Sequence, residues 1–262
     1  MSMRHDPGGG WSRRSALAGL GAGLLVTGGC AERTDVRAAG GFIVGSSATG
    51  VPFSFLDVET NALTGAMIDI VEATAAEAGA PVALQVVPFS ALIPSLTARK
   101  IDVIAAAMLR TPERERIVAF SDPVYAYGGG LVVAAGNPRD YGRLEDLRGL
   151  RVGAQVGSRF VDQLKAAGVS GVKTYDNLSD ILRDVRLKRL DAAYGDEPIL
   201  RYYLRVTRSK ALRLVESYRP TALEDVCLIL RKDDRALLDR INTAIAAIRG
   251  STLPPILAKW GL

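Results

Sequence analysis

Hydrophobic positions along the chain change period repeatedly. Phe42-Ile43-Val44-Gly45 is a short apolar run of strand type, and Val82, Leu84 and Val86 alternate with less apolar neighbours, the period-two signature of a half-buried strand. Between them Met67, Ile70, Val71, Thr74 and Ala78 recur at helical spacing, and Gly79 supplies a C-terminal stop. Phe89 to Leu96 reads as a short helix and Val103 to Ala107 as a buried strand with no charge inside it. Thr111-Pro112 then opens a helical turn carrying Arg114, proline being suited to a helix's first position. The same alternation restarts in the second half. Strands are predicted at Tyr127 to Ala135, Arg151 to Ala154, Val172 to Tyr175, Asp191 to Asp196 and Leu212 to Val215. Helices are predicted from Ser158 to Ala167, through Leu178, Ile181, Leu182 and Val185, from Pro198 to Tyr203, and from Asp233 to Ile248. Tyr127 to Ala135 and Val226 to Leu230 read as crossing segments.

Strands alternating with helices imply α/β architecture with mainly parallel sheets covered on both faces. Because the series restarts after a crossing segment, the expected fold is two such lobes joined by two crossing strands. In sheets of this kind, ligands sit at the carboxyl ends of the strands, which here means the cleft between the lobes.

The first thirty residues stand apart. Ser12-Arg13-Arg14 is a twin-arginine pattern, and Leu17 to Val26 is a small, glycine-containing apolar run too short for a membrane span. It ends at Thr27-Gly28-Gly29-Cys30, a lipobox-like sequence with Thr27 and Gly28 at its less usual positions. Residues 1–29 are therefore expected to be an export signal of lipoprotein type, Cys30 the lipidated residue, and 30–41 a tether. Cys227, the other cysteine, is expected in the core.

Composition narrows the chemistry. The 262 residues carry a net charge of +5. Three arginines against one aspartate before Cys30 account for two of these charges, and the remaining +3 is too mild to argue for nucleic acid. The single histidine, His5, falls in the export segment, so the remainder has no Ser-His or Cys-His catalytic pair and no histidine metal ligand.

The wording Asp102-x-Ile104-x-Ala106, Thr111-Pro112-Glu113-Arg114 and Phe120-Ser121-Asp122-Pro123 resembles the bacterial extracellular solute-binding proteins of family 3, the polar amino-acid binders of ABC importers. Pro52-Phe53-Ser54-Phe55, Leu63-Thr64-Gly65, Leu92-Ile93-Pro94-Ser95-Leu96 and the closing Lys259-Trp260 extend the likeness over roughly residues 42–262. The resemblance implies a two-lobe, Venus-flytrap fold with a first lobe of 42–132 and 224–262 and a second lobe of 133–223. It also implies a monomer that captures a small zwitterion and hands it to ABC permease subunits, in the periplasm or cell envelope, without cofactor or metal. Membrane contact would be through the lipid anchor alone.

The resemblance also assigns roles. Arg114 would clamp the ligand's carboxylate, a task suited to a guanidinium's two-pronged donor geometry. Asp196 would take the ammonium, though an aspartate two places before Pro198 also suits a helix N-cap. Phe89 would stack on the ligand. Gln155 and Ser158 lie in the turn that brings the second lobe's amides to the carboxylate. Ala107, Ser47 and Arg110 complete the expected set, Arg110 as a second anion contact or a solvated side chain. Three positions depart from the family pattern: Leu109 replaces a Ser or Thr, Ser47 an acid, and Gly50 an aromatic. They lead us to expect a ligand side chain larger or less polar than glutamine's, or a non-standard zwitterion. Two alternatives stand beside transport: a sensory or accessory binding protein, and a cyclohexadienyl or arogenate dehydratase-like enzyme with Glu197 as its acid.

Overall fold

A computed structural model describes residues 36–262; the export signal, Cys30 and the first part of the tether lie outside the described residues. Two five-stranded sheets organise the chain. In the first, Val82–Val86, Phe42–Ser46 and Val103–Ile104 lie side by side in parallel, and Ile229–Arg231 and Val118–Phe120 continue the sheet in antiparallel fashion. In the second, Gly171–Tyr175, Arg151–Gln155 and Ala192–Asp196 are parallel, Gly129–Ala134 runs against them, and Leu212–Leu214 pairs antiparallel with Gly129–Ala134. The parallel strands form the half of each sheet built from strand–helix–strand units. In each sheet a single strand runs against the rest: Ile229–Arg231, reached when the chain returns to the first lobe, and Gly129–Ala134, reached when it enters the second. The strand Gly129–Ala134, expected at the crossing, lies wholly in the second sheet. Tyr125–Tyr127 and Glu224–Val226 make the crossing as an antiparallel pair.

Each sheet is covered on both faces. Helix Ala66–Glu77 buries Met67, Ile70 and Val71 together with Ile241 and Ile245 of helix Arg235–Ile248, as their helical spacing predicts. The opposite face takes Leu92, Leu96 and Ile101. In the second lobe helix Leu178–Arg186 buries Ile181, Leu182 and Val185 on one side, and Phe160 and Leu164 of helix Arg159–Ala166 fill the other. Gly79, at φ +62°, follows helix Ala66–Glu77 and its cap residue, a left-handed position that favours glycine. Lys259 Nζ and Trp260 Nε1 both donate to Asp69 Oδ2 at 2.7 Å, which ties the closing helix Leu253–Trp260 to the first lobe. Cys227 is 1% exposed; burial, aided by the charge of Asp225, pushes its thiol up to about 12, so it is an inert core residue at neutral pH.

Strand order fixes where each lobe can receive a ligand. In both sheets the middle member of the parallel trio is the first in sequence of the three, so the chain winds outward on both sides of it and leaves a crevice at its carboxyl end. In the first lobe this crevice collects the residues after Ser46, Val86 and Ile104; in the second, those after Gln155, Tyr175 and Asp196.

Candidate functional site: an inter-lobe cleft

Phe89, Ala107, Leu109, Arg114 and Tyr127 line one small pocket with Ser158, Arg159, Phe160 and Asp196. The first group comes from the first lobe and the crossing strand, the second from the second lobe. Thr111 caps the short helix Pro112–Glu115, its Oγ1 accepting from the Arg114 amide at 3.3 Å, and Pro112 occupies the first helical position. The guanidinium is thereby aimed back into the cleft. Its Nη1 donates to the Leu109 carbonyl at 2.5 Å, and its Nη2 reaches across the lobes to the Gly157 carbonyl at 3.0 Å. Burial lowers the Arg114 pKa, partly countered by Tyr127 and Asp196, but a guanidinium stays charged in any protein setting. The result is a desolvated cation whose present partners are neutral carbonyls.

Asp196 ends the strand Ala192–Asp196 and occupies the N-cap position of helix Glu197–Thr207, yet its side chain makes no capping bond. Its carboxyl instead takes the hydroxyl of Tyr127. That hydroxyl is also 2.9 Å from the Ala107 carbonyl, which the left-handed backbone of Ala107, at φ +50°, turns toward it. Burial raises the Asp196 pKa, against the hydrogen bond from Tyr127 and the charge of Arg114. Burial, followed by the charge of Asp196, likewise holds Tyr127 far above the ordinary phenol value, so it remains a hydrogen-bond donor. The ring of Tyr127 stacks on Phe53, with centroids 5.4 Å apart, and this fixes its position.

The remaining expected residues divide between the pocket and its surroundings. Phe89 is half-buried and borders the same pocket. Ser158 is at the N-cap position of helix Arg159–Ala166 but does not cap with its side chain; its hydroxyl donates to the Gln155 carbonyl at 2.7 Å instead. Gln155 turns its amide away from Arg114, donating to the Asp176 carbonyl at 2.8 Å and reaching Thr49 Oγ1 of the other lobe at 3.4 Å. Arg110 leaves the cleft. In the extended segment Leu109-Arg110-Thr111 side chains alternate, so Leu109 and Thr111 are buried while Arg110 points out, pairs with Glu115 at 2.5 Å and lies over the Phe120 ring. Ser47 is buried, but it borders an adjoining chamber rather than the Arg114 pocket. Glu197 shares no wall with that pocket: it pairs with Arg201 at 2.5 Å and borders a separate recess with Tyr125 and Arg219.

Sequence reasoning missed Tyr127 and Arg159. Tyr127 alternates with Tyr125 on a crossing strand, and that was the only local signal for it. Arg159 meets Glu224, a residue of the returning strand, so its placement depends on two distant segments.

The chain belongs to the bacterial extracellular solute-binding proteins, family 3, whose model matches residues 42–262. It is 29% identical over 220 residues to the ABC transporter arginine-binding protein 1 of Escherichia coli (strain K12), covering 82% of this chain and 88% of that one. It is 28% identical over 257 residues to the L-cystine-binding protein TcyJ of the same organism, covering 94% of this chain and 95% of that one. Among solved structures, an ancestral arginine-binding protein bound to arginine matches with a TM-score of 0.77 and 34% identity, over 84% of this chain and 98% of that chain. These relatives are binding proteins, and the family is one of amino-acid binders that work with ABC permeases. No helix among the described residues is long and apolar enough to cross a membrane.

Proposed function

We propose that the cleft captures a small zwitterion, an α-amino acid or a close derivative, and that the protein delivers it to an ABC permease on the periplasmic side of the membrane. The observation that carries this reading is the pairing of Arg114 from one lobe and Asp196 from the other in a single pocket. A carboxylate takes the Arg114 guanidinium, displacing the Gly157 carbonyl from Nη2, and an ammonium takes the Asp196 carboxylate. Phe89 and Tyr127 supply the apolar and hydroxyl walls. A ligand that bridges the lobes favours the closed arrangement, because only that arrangement makes both contacts. Cys30 as a lipid anchor keeps the receptor near its permease, with the residues that follow it as the tether up to Arg37, which is bonded to Asp102 of the first lobe.

Calorimetry with the standard amino acids, betaines and dicarboxylates tests the ligand. At least one free α-amino acid is expected to bind, and its N-acetyl and methyl-ester forms are expected to fail. Equal binding of the masked forms would remove the zwitterion reading. Intact mass of membrane-extracted protein tests the anchor: an acyl mass on an N-terminal Cys30 is expected, and cleavage elsewhere without acyl mass refutes it. Glu197, held by Arg201 away from the pocket, is not positioned to protonate a substrate there, which favours binding over dehydration.

A further inference from the structure

A larger chamber of about 370 Å³ adjoins the Arg114–Asp196 pocket and shares Phe89 with it. It also lies between the lobes, since Ser47, Thr49 and Val87 border it from one side and Val156 and Asp176 from the other. Its size is that of a small-molecule site rather than of a packing defect. Every wall residue but one is uncharged; the exception is Asp176. We propose that this chamber receives the ligand's side chain and that Asp176 selects ligands whose side chain ends in a positive charge. The inference rests on the zwitterion reading above, and adds to it the side-chain class.

Three observations support it. First, Asp176 is held in place from behind. The Gln155 amide grips its backbone carbonyl at 2.8 Å within the second lobe and also reaches Thr49 of the opposite lobe at 3.4 Å, so the segment carrying Asp176 is anchored at the lobe boundary. Second, among the described residues the Asp176 carboxylate has no hydrogen-bond or ion-pair partner. The nearby carboxyls of Asp180 and Asp184, by contrast, are engaged by Asn177 and Arg183 and by Tyr175 and Arg189. Third, the charges add up. Arg114 and Asp196 neutralise the two ends of an α-amino acid, which leaves Asp176 as an uncompensated negative charge beside Val87, Phe89 and Val156. Apolar walls suit the methylene stem of a long side chain, and the carboxylate suits the cation at its tip. A neutral tip leaves Asp176 unpaired and partly desolvated. An anionic tip is repelled.

The probes are L-arginine, L-lysine, L-citrulline and L-glutamate, titrated by calorimetry into the purified protein and into Asp176→Asn. Citrulline keeps nearly the shape of arginine without its charge. The parent is expected to prefer arginine over citrulline, and Asp176→Asn to shrink that preference about tenfold, the usual worth of one charge-assisted hydrogen bond. Asp176→Lys is expected to lose arginine and gain glutamate. Asp176 is exposed, so neither variant threatens folding. A parent that prefers citrulline or glutamate overturns the inference, as does an arginine-to-citrulline ratio unchanged in Asp176→Asn. Arg114→Ala separates the two levels. If it abolishes binding of all four probes while Asp176→Asn changes nothing, the side-chain assignment fails and the zwitterion site stands. If Arg114→Ala also changes nothing, both fail.

Discussion

Replacing Arg114 with alanine is the most informative single perturbation, because it separates binding from folding. In the folded protein the guanidinium is desolvated and donates to two carbonyls, those of Leu109 and Gly157. Truncation removes those bonds but also removes a buried charge, and the two effects oppose each other, so unfolding by urea is expected to shift by no more than about 1–2 kcal/mol. Ligand binding has no such compensation. A carboxylate that loses a buried, hydrogen-bonded cation forfeits about 2–5 kcal/mol, much of it from being left unpaired. That is roughly 30- to 4000-fold in Kd. Arg114→Lys keeps the charge but replaces a planar fork with a point donor, so one of the two prongs is lost, a cost of about 1.5–3 kcal/mol or roughly 10- to 150-fold. Calorimetry with the tightest-binding amino acid reads both variants. The order expected is parent, then lysine, then alanine, with near-parental urea midpoints. Parental affinity in Arg114→Ala would mean that the carboxylate lies elsewhere; a large loss of stability alongside weak binding would mean that Arg114 is first a structural residue.

Other positions give equally definite expectations. Asp196 must be ionised to meet an ammonium, and burial raises its pKa, so affinity for a zwitterion should fall as pH drops through that raised value, with proton uptake by buffer visible in calorimetry. The stability sign is the reverse: a raised carboxyl stabilises the fold below its unfolded value and loses that contribution as pH rises through the folded one, so Asp196→Asn should be more stable than the parent at neutral pH. Tyr127→Phe removes the bond to Asp196 and should weaken binding about 10-fold while raising Asp196's pKa further, seen as a shift of the affinity–pH curve to higher pH. Asp102 is buried, which pushes its pKa up, but Arg37, Arg231 and the Ile43 amide more than offset this and hold it below the usual range. Asp102→Ala should therefore cost about 2–4 kcal/mol in urea unfolding. The parent's share of stability from Asp102 should persist above the unfolded carboxylate value and vanish as pH falls through the lower folded one. Gly65 has φ +127° and a Cβ there would strike the Phe53 carbonyl, so Gly65→Ala should destabilise by at least about 2 kcal/mol.

Element order and much of the fold were legible in the sequence. Helical spacing in Met67, Ile70 and Val71, alternation in Val82, Leu84 and Val86, and the Thr111-Pro112 helix start are local signals, set by backbone period and capping, and they need no partner to be read. The Thr111-Pro112 start also shows locally that Arg114 lies on a short helical turn, but the carboxylate role comes from the family wording around it, since a lone arginine past a strand is more often simply solvated. The rest depended on distant segments meeting in three dimensions. Asp196 looked equally suited to capping its own helix, and it is Tyr127, 69 residues earlier, that draws its carboxyl into the cleft. Arg110 sits four residues from Arg114 and shares its charge, but the alternation of an extended segment and the reach of Glu115 send it outward. Ser158 carries a good capping side chain, and the nearer Gln155 carbonyl takes its hydroxyl. Asp176 gave no local sign at all. Its relation to the cleft exists only because Gln155 spans from its backbone to Thr49 across the lobe boundary, and contacts between lobes have no period along a chain for a sequence to display.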